Sequence, residues 1–118
     1  MKMKIKTSEL TGRALDYAVA MAQGWEKMAG YNGYSTPNGI VIAPEYIPSW
    51  DWAQCGQLIE EYWIEFKWVT DATIEAHSYL LDGAVAYGHS HLEAACRLVV
   101  LGKIGDEVEI PDELMEGV

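Results

Sequence analysis

An α+β fold is predicted by three features of the chain. Two segments carry apolar residues at helical spacing, over 12–23 and 90–104, each with its own start and stop signals. Several shorter segments alternate with period two, as half-buried strands do. Glycine, proline, asparagine and aspartate stand between them, where turns are needed. The expected architecture is a small, mostly antiparallel sheet from about residues 2–6, 64–69, 73–80 and 107–110. Two main helices and one short helix near 57–62 pack on it.

The first strand follows from Met1, Met3 and Ile5 alternating with Lys2, Lys4 and Lys6. Lysines along one face suit an edge strand, and an open edge suits pairing with a second copy, so a homodimer is one expectation. The first helix starts at Leu10-Thr11-Gly12. Thr11 fits the N-cap, and Leu10 with Leu15 fits a hydrophobic staple. Leu15, Ala18, Val19 and Ala22 continue one face, and Gly24 fits the C-terminal stop.

Residues 30–49 are the least regular stretch and read as a loop, with Ile40-Val41-Ile42 as a short strand and Pro44 and Pro48 holding the chain extended. A turn from Trp50 to Gly56 leads to the short helix. Ile64 to Val69 alternates, Thr70-Asp71 turns, and Thr73 to Leu80 returns, which together make a hairpin. The last helix has the sharpest signals. Ser90 with Glu93 forms a capping box, and Leu92, Ala95, Cys96, Val99 and Val100 share a face. Gly105 ends it, and Glu107 to Ile110 adds an edge strand.

The 118 residues, half of them hydrophobic, suit one domain over 1–118 with a core that needs no covalent staples. Cys55 and Cys96 lie in apolar helical settings and read as buried free thiols. MKMKIK is followed by no apolar run, so no signal peptide is expected, and no stretch is long enough for a membrane helix. Eight Lys and Arg stand against 18 Asp and Glu, a formal charge of −10. Nucleic acids and anionic membranes require a basic footprint, so neither is an expected partner. A basic protein partner fits the balance.

Three blocks, KTSELTGRALDYAVA, DWAQCGQLIEEYWI and GHSHLEAACRLVVLGKIGDEVEIPDEL, resemble in this order the NinX-like family of small proteins from lambdoid and related tailed bacteriophages. The resemblance spans nearly the whole chain. It implies a phage accessory or early gene product acting in the host bacterial cytoplasm, neither a virion component nor a replication enzyme, and it carries no assigned activity. The chain departs from the family pattern at four places. Gly56-Gln57-Leu58-Ile59-Glu60 stands for Gly-Pro-Ile-Ile-Glu, Trp63 for a glycine, Ser90-His91 for Thr-Pro, and Ile74 for a tryptophan. The segment from Ala29 to Trp50 matches the family least.

Two groups of residues are candidate ligand contacts. Tyr31, Tyr34, Trp50 and Trp52 bracket the Gly/Asn/Ser loop and could stack on a base or cover the sheet. Gly88, His89, Ser90 and His91 precede a helix N-terminus, whose amides attract anions unless Ser90 and Glu93 already occupy them. A metal at His89 and His91 is not expected, because Cys96 points away around the helix. No cofactor motif is present. Glu60, Glu61, Glu65, Asp71 and Glu75 could pair for acid–base work, but no nucleophile elbow, P-loop or zincin motif accompanies them. The leading expectation is a non-catalytic protein that captures a small anionic, nucleotide-like ligand. The alternatives are an acidic inhibitor or adaptor of a host protein, with the acidic segment from Asp106 onward contributing, and a small carboxylate-dependent hydrolase.

Overall fold

The structure, a computed structural model, describes residues 1–115. The fold is α+β, and its strands form three small antiparallel sheets where one was expected. Among the described residues strand β1 (Lys2–Lys6) pairs only with β8 (Glu107–Pro111). Strands β2 (Glu26–Lys27), β3 (Gly33–Thr36) and β4 (Gly39–Ile42) form the second sheet. The third contains β5 (Glu65–Trp68), β6 (Ile74–His77) and β7 (Val85–Gly88) in that order. Helices α1 (Gly12–Ala22), α2 (Trp52–Glu61) and α3 (His91–Lys103) pack between and across them.

Helix α3 is the centre of the core. Leu98, Val99 and Val100 are fully buried, and α3 lies on β6 and β7 on one side and on α1 and α2 on others. Gly88 belongs to this packing. A Cβ there would sit 2.7 Å from the Ala94 nitrogen, so only glycine lets the end of β7 approach the first turn of α3 this closely. The capping box forms as expected at Ser90, whose Oγ accepts from the Glu93 amide at 3.1 Å. Glu93 Oε1 returns the contact one residue earlier, accepting from the His89 amide at 2.9 Å.

The ends of α1 and α2 carry the same device. Gly24 donates to the Met21 carbonyl and Trp25 to the Ala20 carbonyl, a Schellman stop with Gly24 at φ +82°. At α2 the same pair of bonds runs from Trp63 to Glu60 and from Ile64 to Ile59. The left-handed residue there is Trp63, at φ +52°. A bulky side chain in that region is strained by about 1–2 kcal/mol.

Four expectations need correction. Residues 30–49 are not one loop, because β3 and β4 form a hairpin through Pro37-Asn38. Thr36 Oγ1 locks that turn by donating to the Gly39 carbonyl at 2.7 Å and accepting from the Asn38 amide at 3.1 Å. Helix α2 starts at Trp52, earlier than expected, because Asp51 caps it by accepting from Ala53 at 2.9 Å. The second hairpin strand stops at His77, and residues 79–81 form a tight turn that sends β7 back beside β6. Thr11 stands at the N-cap of α1 without a side-chain bond. Gly12, at φ +55°, turns the first amides away from its hydroxyl.

Candidate functional site

The expected site residues fall in two places. Trp52 opens α2 and His91 opens α3, and their rings lie 5.7 Å apart. Phe66 and Trp68, on one face of β5, complete the cluster at 4.9 and 5.6 Å from the His91 ring. Trp50 is exposed two residues before Trp52. His89 is held by its Nδ1 contact with the Ala72 carbonyl at 3.2 Å. The start of α3 already has its own acceptors, since Ser90 Oγ and the Glu93 carboxylate take the local amides, and Glu93 lies 3.4 Å from Arg97.

Tyr34 belongs elsewhere. It is buried in an aromatic trio with Trp25 and Tyr46, with ring centroids 4.7–6.4 Å apart. Tyr31 sits in the turn before β3, half exposed, where its carbonyl accepts from Lys27 Nζ at 3.1 Å. The aromatic residues around the irregular segment therefore do not converge on the start of α3. Only Trp52 does.

Tyr34 leads to a cavity that the sequence pattern does not announce. A cavity of about 580 Å³ opens between α1, the β2–β4 sheet and the segment after β8. Tyr17, Tyr34 and Tyr46 line it, and Lys2, Arg13 and Lys27 border it. Three of the eight basic residues thus meet at one opening in a chain of net charge −10. Arg13, Asp16 and Tyr17 reach it from one face of α1 by their i, i+3, i+4 spacing. That spacing was visible in the sequence, but a lone Asp in an apolar helix reads as solvent-facing unless its burial is known.

Asp16 is 5% exposed. Its Oδ1 accepts from the Ser49 amide at 2.9 Å. Burial pushes its carboxyl up from 3.8 to about 6, and the Ser49 bond opposes the shift only in part. Among the described residues the buried Ser49 hydroxyl makes no well-aligned hydrogen bond, although it lies near enough to Asp16 to help hold the shift down. Burial also pushes the Tyr34 hydroxyl up to about 12, and the Tyr46 hydroxyl higher still although it accepts from Gln23 Nε2 at 2.6 Å. Both phenols are therefore neutral hydrogen-bonding groups at any physiological pH. Asp16 and Glu113 are the acids on the lining, so cations outnumber them.

A larger cavity, about 770 Å³, lies between Lys6–Ser8 and β7. Its strongest cation is already occupied. Arg97 donates through Nε to the Leu10 carbonyl at 3.0 Å and through a terminal nitrogen to the Tyr87 carbonyl at 2.9 Å. This arginine ties two backbone segments together and has little left for a ligand.

The match to a family model decides the kinship. It covers residues 6–103 and is described as bacteriophage P22, NinX. The chain belongs to the bacteriophage P22 NinX family. That makes it a phage accessory protein. No curated protein matches the chain. Within the NinX-matched span lie Arg13, Asp16, Tyr17, Tyr34 and Tyr46, the inner wall of the smaller cavity, while Lys2 and Glu113 lie outside it.

Among the described residues no group of His, Cys, Asp and Glu gathers as metal ligands. Cys96 is fully buried against Cys55, and that contact and burial push its thiol well up, so it stays a thiol at neutral pH. Glu65 and Glu75 flank His77 at 3.6 and 3.1 Å on the outer side of β5–β6. The shorter of these contacts lacks hydrogen-bonding alignment. None of Glu60, Glu61, Glu65, Asp71 or Glu75 lines either cavity. No helix among the described residues is long and apolar enough to cross a membrane. The acidic C-terminal segment is described to Met115, and Glu116 lies outside the described residues.

Proposed function

We propose that this phage accessory protein acts without catalysis in the host cytoplasm, by holding a small anionic, nucleotide-like molecule in the cavity between α1 and the β2–β4 sheet. The observation that carries this reading is the meeting of Lys2, Arg13 and Lys27 around a tyrosine-lined pocket in an otherwise acidic chain. Arg13 offers a planar, bidentate donor set suited to phosphate or carboxylate oxygens. Tyr17 and Tyr34 supply ring surface, and Tyr34 a neutral phenol, for the remainder of the ligand. The volume, about 580 Å³, matches the range of small-ligand pockets.

Asp16 gives this reading a pH signature. An anion beside it favours the protonated carboxyl, so binding tightens as pH falls from 7 toward 5. The test is calorimetric titration with a panel of nucleotides and cyclic nucleotides, repeated with Arg13→Ala. Binding to at least one member, weakened about tenfold or more by Arg13→Ala, is the expected result. Silence across the whole panel at millimolar ligand sinks the reading.

A further inference from the structure

The cluster of Trp52, Phe66, Trp68 and His91 lines neither cavity and leaves two large indoles in solvent. Trp52 is 60% and Trp68 54% exposed. The two rings lie 5.7 and 5.6 Å from the His91 imidazole, brought there by the starts of two helices and the end of β5. Exposed aromatic surface of this kind is costly to leave in water and marks an interaction site.

Charge selects the partner. Every base of the chain has a place away from this face. Lys2, Arg13 and Lys27 border the tyrosine cavity. Lys4 and Lys6 pair across β1–β8 with Glu109 and Glu107. Arg97 holds two carbonyls, and Lys103 sits 5.9 Å over the Tyr62 ring. Lys67 alternates with Phe66 and Trp68, so it leaves β5 on the opposite side. The acids Asp51 and Asp71 neighbour the cluster along the chain instead, Asp51 capping α2 just before Trp52 and Asp71 standing in the turn after Trp68. Indole faces next to carboxylates attract guanidinium and ammonium groups. Nucleic acid is disfavoured there for the same reason.

We infer that the Trp52–Phe66–Trp68–His91 face docks a basic segment of a partner protein, with an Arg or Lys side chain laid over the indoles. This stands apart from the cavity between α1 and β2–β4, and neither depends on the other.

The test uses the full chain, a short arginine–glycine peptide and a neutral glycine–serine peptide, followed by titration calorimetry at about 0.15 M salt. The double variant Trp52→Ala/Trp68→Ala keeps the net charge, so general attraction to an acidic protein survives in it. The expected result is binding of the arginine peptide alone, weakened about tenfold or more in the double variant. Circular dichroism confirms its fold, and Trp52→Ala alone serves if the pair of changes unfolds the chain. Equal binding by wild type and variant overturns the inference, as does equal binding of both peptides. Self-association of the wild type in sedimentation, lost in the double variant, also overturns it, because a second copy then covers the face.

Discussion

The layer of α3 on β6–β7 and the cavity wall of α1 beside β2–β4 both bury aromatic and aliphatic surface, yet they differ in what accompanies it. Around α3 the Ser78 and Arg97 side chains are matched, while His77 Nδ1 on β6 has no hydrogen-bond partner among the described residues. The Ser78 hydroxyl donates to the Tyr62 carbonyl and accepts from Leu80, and Arg97 satisfies Leu10 and Tyr87. Around α1 a carboxyl is buried with one amide as its partner, beside tyrosines that open onto a cavity and a hydroxyl with no well-aligned hydrogen bond among the described residues. One region is built for rigidity. The other retains buried polarity that burial alone makes unfavourable, which is how ligand sites differ from cores.

The largest effect should come from the rigid side. Leu98 is fully buried, so Leu98→Ala should lower unfolding free energy by about 2–5 kcal/mol in urea titrations. A loss below about 1 kcal/mol would mean that this layer is as loosely packed as the cavity wall. The next test addresses Asp16. Its folded carboxyl titrates near 6 against 3.8 ordinarily, so the folded state holds its proton more tightly than the unfolded state. The resulting stability is fully present below pH 3.8 and is lost as pH rises through 6. The loss is on the order of 2–3 kcal/mol. Asp16→Asn should remove it, so the difference between variant and wild type grows from pH 4 to pH 7 in parallel denaturation series. A constant difference would place Asp16 in water.

The smallest effect compares the two Schellman ends. Trp63→Gly should stabilise the protein by about 0.5–1 kcal/mol, because glycine takes φ +52° without strain. The gain is reduced by the lost edge contact between Trp63 and Tyr79, whose centroids lie 5.7 Å apart. Destabilisation in a thermal melt would show that the aromatic contact outweighs the backbone strain.

The rigid layer was largely legible in the sequence. Ser90, Glu93 and the Leu92 to Val100 stripe act locally, within one or two turns of chain, and their pattern specifies the helix before any tertiary contact forms. The Ile64 to Val69 alternation did the same for β5. Strand β7 was not legible, because Val85-Ala86-Tyr87-Gly88 is short and its pairing depends on the turn at 79–81. The division into three sheets was equally hidden, since alternation marks a strand without naming its neighbour.

The candidate site was legible only in fragments. Tyr34, Trp52 and His91 stand out in the sequence, but their grouping is set by contacts distant in sequence. Trp25 and Tyr46 enclose Tyr34, and the meeting of two helix starts brings Trp52 to His91. Asp16 escaped because its spacing is that of an ordinary amphipathic helix. Its meaning depends on Ser49, 33 positions away.

The pairing of β1 with β8 has a kinetic consequence. Lys2 to Lys6 align with Pro111 to Glu107, and Asp112 donates to the Met1 carbonyl at 3.0 Å. This ribbon closes a loop that contains all three helices and both other sheets, and long loops are slow to close. During synthesis β1 emerges long before its partner β8 and must wait as a lysine-fringed strand. Those lysines repel another waiting copy of the same strand, so the charge that looks ornamental in the finished ribbon protects the chain while it is still incomplete.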